Sequence, residues 1–212
     1  MKAARGIVVM TLGMAAALPA AAQTTTSGTP GPIEIAPPAV SGRSAYVNQI
    51  GNANQATVTQ TAPNASISIR QDGERNLTTV TQGGDATSYG NVVQTGNENE
   101  ANLSQRGSGI NALYLTQTGI GNRALAQQTG QSGALNGAVL TQAGTFNEMN
   151  LLQEGSDNRA ALAQDGNGNQ MTAAQTGVGN RLIWTQQGNN LSNLGITQTG
   201  AQAIQVTQTG GN

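Results

Sequence analysis

Gln142 is followed by Gly144, Asn147, Met149 and Leu151, and then by Gln153, which opens the same series again through Gly155, Asn158, Ala160 and Leu162 to Gln164. The unit is Gln, Gly two residues on, Asn five on, apolar residues seven and nine on, and Gln eleven on. Two more copies follow without a break, through Gly166, Asn169, Met171 and Ala173 to Gln175, and through Gly177, Asn180, Leu182 and Trp184 to Gln186. A unit this short cannot bury a core by itself, so successive copies have to stack.

The same markers recur from Ser44 to the last residues. Gln49, Gln60, Gln71, Gln82, Gln94, Gln105, Gln117, Gln128, Gln142, Gln153, Gln164, Gln175, Gln187 (taken in place of Gln186), Gln198 and Gln208 bound fourteen arms of 10 to 14 residues. The odd-numbered arms are the regular ones, with Gly51 and Asn54, Gly73 and Asn76, Gly96 and Asn99, Gly119 and Asn122, Gly144 and Asn147, and Gly166 and Asn169. The even arms drift: Ala62 and Asn64 follow Gln60, the arm from Gln82 lacks the Asn, and the arm from Gln128 is lengthened to 14 residues. The true repeat is therefore a pair of arms, 21 to 25 residues long by these markers and present seven times.

Within an arm, Asn, the two apolar residues and Gln fall on every second position, as in Asn54-Gln-Ala56-Thr-Val58-Thr-Gln60. Period two places all four on one face of a β-strand. A helical period would scatter them, and Gly, Asn and Thr at this density are weak helix formers. The residues after each Gln form the arch, with Gly supplying positive φ. Strand, arch, strand, arch makes one rung, and seven rungs at about 4.8 Å each give a column roughly 34 Å tall. The expected fold class is all-β, an uncapped β-solenoid.

The inward amides are the unusual feature, because an amide buried without a partner costs about 1–3 kcal/mol. Stacking resolves it, since identical amides one rung apart can donate to and accept from one another along the column. The expected ladder consists of Gln49, Asn54, Gln60, Gln71, Asn76, Gln82, Gln94, Asn99, Gln105, Gln117, Asn122, Gln128, Gln142, Asn147, Gln153, Asn158, Gln164, Asn169, Gln175, Asn180 and Gln198. The expected arch glycines are Gly51, Gly73, Gly96, Gly119, Gly144, Gly155, Gly166 and Gly177. Strand pattern continues to Ile204-Gln-Val206-Thr-Gln208, and neither end of the array carries an amphipathic helix. Both ends are expected to be open, and another copy of the chain would satisfy them.

Before the array, Met1 to Ala22 reads as a secretory signal peptide, with Lys2 and Arg5, the apolar run Gly6 to Leu18, and the small residues Ala20-Ala-Ala22. No other segment approaches membrane-spanning length. Gln23 to Arg43 holds Pro30, Pro32, Pro37 and Pro38 after a Thr-rich start, a composition expected of a flexible extended leader. It reads either as an address for export or as a spacer. The repeat domain runs from Ser44 to Asn212.

Composition narrows the function classes. Cys and His are absent, which excludes disulfides, thiolate and imidazole metal sites, a Cys nucleophile and a His base. Removing Lys2 and Arg5 from nine basic residues leaves seven against ten acidic ones, a net charge of −3, so there is no basic patch for nucleic acid. Asp72 with Glu74, and Glu98 with Glu100, lack a His or an aromatic wall and read as solvated arch charges rather than catalytic pairs. Asp165-Gly-Asn167-Gly-Asn169 starts like a calcium loop, but Gln170 and Thr176 stand where Gly and Glu are needed. Thr57-Val-Thr59 and Thr79-Val-Thr81 suggest a flat Thr array for ice, which Asn102, Ala161 and Ile183 do not sustain. Arg159 and Arg181 should stack one rung apart, either as a brake on premature aggregation or neutralised by Asp157 and their own stems. No enzyme, metal or cofactor is expected.

The pattern Gln-x-Gly-x-x-Asn-x-Ala-x-x-x-Gln, with its Ala at Ala56, Ala101, Ala124 and Ala160, resembles the curlin repeat of bacterial curli subunits, and the resemblance covers Ser44 to Asn212. It implies an extracellular functional amyloid of Gram-negative bacteria, a homopolymer used in adhesion and biofilm matrix. It further implies a second curlin subunit as nucleator, an outer-membrane secretion channel, accessory chaperones, and host or abiotic surfaces as partners. The chain departs from that family in having more repeats than the usual five and a Pro-rich leader. The alternative is a monomeric secreted β-solenoid that displays its outward face to a glycan, a surface or ice; a folded cap within Gln23 to Arg43 would favour it.

Overall fold

Alternation of inward apolar or amide residues with outward polar ones builds sixteen strands, with no helix among the described residues. The computed structural model describes residues 24–131 and 133–210; the expected signal peptide, Met1 to Ala22, lies outside them. In chain order the strands are β1 (Thr24–Gly28), β2 (Arg43–Ile50), β3 (Gln55–Gln60), β4 (Asn64–Glu74), β5 (Leu77–Gln82), β6 (Thr87–Asn97), β7 (Glu100–Gly107) and β8 (Ile110–Ile120). They continue as β9 (Arg123–Gly130), β10 (Leu135–Thr145), β11 (Glu148–Ser156), β12 (Arg159–Asn167), β13 (Gln170–Val178), β14 (Arg181–Gly188), β15 (Ile196–Thr199) and β16 (Ala203–Gly210).

From β2 onward the even-numbered strands stack parallel into sheet A, and from β3 onward the odd-numbered ones stack parallel into sheet B. Each arch carries the chain from one sheet to the other. The result is a β-solenoid of seven complete rungs, with β16 as an additional strand on sheet A. Register is kept residue for residue: Gln94 pairs with Gln117, Gln117 with Gln142, and Gln142 with Gln164, despite arms of unequal length. Up to β14 the extra residues are absorbed in the turns from sheet B back to sheet A, which is why the even arms look irregular in sequence; one more falls in the turn between β14 and β15.

The core between the sheets is thin, as the scarcity of aromatics requires. In two rungs large residues face small ones, with Leu113 and Leu115 opposite Ala124 and Ala126, and Ala160 and Leu162 opposite Met171 and Ala173. Trp184, the one Trp, is fully buried near the C-terminal end, and its ring N–H donates to Gln208 Oε1 at 2.9 Å.

Residues 24–42, expected as a flexible leader, instead form an ordered strap. β1 pairs antiparallel with β16, Thr24 opposite Thr209 and Gly28 opposite Gln205. The following extended segment crosses the outer face of sheet A and enters β2 at the opposite end of the stack. Four prolines hold it extended, and the period-two pair Ile33 and Ile35 buries itself against Ala112, Tyr114, Leu135, Ala161 and Ile183. A Cβ added at Gly137 would lie 2.7 Å from Ile35 Cδ1, so the absent side chain makes room for the strap. The ends of the stack therefore differ. The edge of β16 is covered by β1, whereas Val47, a core position of β2, is 43% exposed.

Candidate functional site

Among the described residues no His, Cys, Asp or Glu cluster could hold a metal ion, so the candidate functional element is the stacking surface, formed by three columns of amides. In sheet A each Gln Nε2 donates to the Oε1 of the next Gln at 2.6–2.9 Å, from Gln49 through Gln71, Gln94, Gln117, Gln142, Gln164 and Gln186 to Gln208. In sheet B the column runs Gln60, Gln82, Gln105, Gln128, Gln153, Gln175, Gln198, with steps of 2.7–2.9 Å. The same nitrogens also donate to backbone carbonyls, as Gln94 does to Leu77 and Asn99. These carbonyls fix which end of each amide points onward.

The third column lines the arches from sheet A to sheet B: Asn54, Asn76, Asn99, Asn122, Asn147 and Asn169. Asn122 is representative. Its Nδ2 reaches Asn99 Oδ1 at 3.1 Å, Thr118 O at 3.1 Å and Gly144 O at 3.0 Å, and its backbone N–H donates to Asn99 Oδ1 at 3.2 Å. Every interior member of the three columns is 0–1% exposed, yet none lacks a partner. Parallel stacking converts buried amides from a cost into a register lock.

The arch glycines are required twice over. Gly144 has φ +107°, and a Cβ there would lie 2.0 Å from the carbonyl oxygen of Gly166 one rung away. Gly51, Gly73, Gly96, Gly119, Gly155 and Gly166 meet the next rung in the same way, and Gly177 shares the positive φ with a looser approach. Two positions further on, the arch needs a second left-handed residue. Ala53, Arg75, Glu98, Phe146 and Asp157 supply it at φ 52–60° without being Gly, which sequence reading could not single out.

Several members differ from expectation or were missed. Gln186 is the ladder residue and Gln187 is exposed, because Gln186 keeps two-residue alternation with Leu182 and Trp184. Asn136, Asn158 and Asn180 form a further column in the turns from sheet B to sheet A, in which Asn158 and Asn180 donate backbone N–H to the preceding Asn. Asn136 escaped notice because the lengthened arm puts it eight residues after Gln128 rather than five. Below it the column decays, and Ser88 Oγ and Asn111 Oδ1 are buried without partners. Thr78 stands at an apolar position and bonds Gln71 and Gln94 instead.

The weighed charges take structural roles. Glu98 accepts from Arg75 at 2.6 Å, and this hydrogen bond pushes the guanidinium further above its ordinary value. Asp72 faces Arg70 at 3.5 Å, and Glu100 faces Arg123 at 3.5 Å. Asn167, within the calcium-like stretch, accepts from the Thr145 backbone and hydroxyl and donates to Asn189, extending a short ladder outside the arches. Arg159 and Arg181 do stack in register. Arg159 meets Asp157 at 3.2 Å and donates to the strap carbonyl of Ile33 at 3.0 Å.

Residues 144–177 match the family described as curlin associated repeat. This segment is a curlin associated repeat. The matched segment runs from the arch of Gly144 to that of Gly177, through the most regular copies. The curlin-repeat geometry extends beyond it in both directions, because the glutamine columns run unbroken from Gln49 to Gln208. No curated protein and no solved structure matches the chain. With its curlin repeats and solenoid fold, the protein has the character of a curli-like structural subunit.

Proposed function

We propose that the chain is a secreted subunit that polymerises into extracellular cross-β fibres for cell adhesion and biofilm matrix. The observation that carries this reading is the open N-terminal rung. Its core and ladder positions Val47 and Gln49 are exposed, although their counterparts one rung inward, Ile69 and Gln71, are fully buried. An incomplete ladder has its best partner in an identical one. Export, by the same reading, is directed by Met1 to Ala22 through an outer-membrane channel, with nucleation by a second curlin subunit at the surface of a Gram-negative cell.

One observation favours the monomeric binding module, namely the β1 strand on the β16 edge. It covers one sheet at one end only. Among the described residues no strand lies beyond β2, β3 or β15. Fibre diffraction separates the readings: the mature chain, residues 23–212, diluted from denaturant at neutral pH, should yield fibres with reflections near ~4.7 and ~10 Å. A β-rich chain that stays monomeric would overturn the fibre reading.

A further inference from the structure

The two sheets do not end level. Sheet B finishes at β15, whereas sheet A continues through β16 and is then closed by β1. Among the described residues the solenoid proper thus has fifteen strands, eight in sheet A and seven in sheet B. At the other end β2 and β3 finish on the same rung.

The columns are also polar. Every glutamine step has its Nε2 on the N-terminal side and its Oε1 on the C-terminal side. Each column therefore begins at an Oε1 that receives no glutamine N–H, at Gln49 and Gln60. Each ends at a residue, Gln198 or Gln208, beyond which no glutamine acceptor lies among the described residues. Acceptors at one end and donors at the other join head to tail and oppose joining like to like.

Resting on the fibre reading above, we infer that a second copy docks on the C-terminal end rotated by half a turn about the column axis. Its β2 fills the vacancy in sheet B beside β16, on the edge of β15, and its β3 takes the edge of β16. A half-turn exchanges the two sheets and reverses strand direction, so both contacts stay parallel. Gln198 then continues into Gln49 of the incoming copy, and Gln208 into Gln60. An unrotated copy would set β2 on β16 and leave a gap one strand high beside it, with the edges of β15 and β3 unpaired around a buried core. Unpaired buried backbone groups are what packed structures avoid.

The same geometry assigns β1 its role. It lies where the incoming β3 has to go, in the antiparallel sense, so the strap is a removable cap and its release precedes addition of each copy.

The chain has no Cys, so introduced pairs report contacts cleanly. Single-cysteine chains are mixed in equal amounts, assembled and oxidised. In-register parallel neighbours about 4.8 Å apart lie within disulfide reach. Thr197→Cys should link to Asn48→Cys, and Thr207→Cys to Thr59→Cys, whereas Thr207→Cys with Asn48→Cys should not link. A product from the last pair, or fibres giving none of the three, overturns the half-turn while leaving the fibre reading intact. Absence of cross-β fibres from the unaltered chain overturns both. Electron cryo-microscopy of unaltered fibres should show one subunit about every 36 Å, with successive copies half a turn apart. Thr26→Cys with Thr207→Cys, directly opposed in β1 and β16, should lock the cap and stop seeded growth until reductant is added. Undiminished growth of the oxidised form removes the cap from the proposal.

Discussion

Arg159 donates from Nη1 to the carbonyl oxygen of Ile33 at 3.0 Å, joining residues 126 positions apart. In sequence Arg159 and Arg181 read as a pair, either a brake on aggregation or charges neutralised by Asp157 and their own stems. The structure separates them, because of the two only Arg159 bonds the strap. Losing that bond should cost about 1 kcal/mol, enough to raise the open fraction of the strap roughly fivefold. Arg159→Gln should therefore quicken proteolysis within residues 29–41 and shorten the lag before fibre growth, whereas Arg181→Gln should change neither. Equal lags for the two variants would return the effect to bulk charge.

Gln117 sits at the middle of its column, bonded to Gln94 and Gln142 at 2.8 and 2.9 Å. Gln117→Ala removes both steps and leaves a cavity, so a loss of about 2–4 kcal/mol is expected in the unfolding free energy measured by urea titration of the freshly refolded chain. Gln187→Ala, at the exposed neighbour of the ladder, should fall within about 0.5 kcal/mol of the parent.

Gly144→Ala combines a positive φ with a collision against Gly166 of the adjoining rung. Circular dichroism should show loss of β-structure in this variant. Gly31→Ala, on the strap with nothing within 4 Å, should leave the spectrum unchanged.

Tyr114 supplies a pH test. Burial under the strap, with Tyr89 alongside at a ring distance of 5.3 Å, raises its phenol above the ordinary value of 10.0. Because the folded value lies above the unfolded one, the contribution is intact below pH 10 and falls away as pH rises through the folded value. The Tyr114 hydroxyl also donates to Ala36 O at 3.3 Å, a bond that ionisation removes. Strap protection against proteolysis should decline above about pH 10 in the parent. Tyr114→Phe should start lower and lack this step; an identical step in both would assign it elsewhere.

The repeating arms declared the solenoid because period two and the Gln spacing are local. What stayed hidden is non-local or conformational. Ile33 and Ile35 find Ala112, Ala161 and Ile183 on three different strands, and of these Ala161 and Ile183 merely looked like breaks in a Thr face. Arg75, Glu98 and Phe146 adopt left-handed backbone that their side chains do not advertise. Gln186 and Gln187 are adjacent, and only the pleat decides between them. The odd strand was missed because fifteen glutamines bound fourteen intervals, yet a strand also precedes Gln49.

The meeting of β1 with β16 makes the cap a test of completeness. The first described strand has no seat until the last has formed, so a chain interrupted before Ala203 cannot close it. Such a fragment keeps every earlier ladder while its strap end stays unplaced. The fold thereby distinguishes a chain that carries β16 from one that lacks it, by a contact between its first and last described strands.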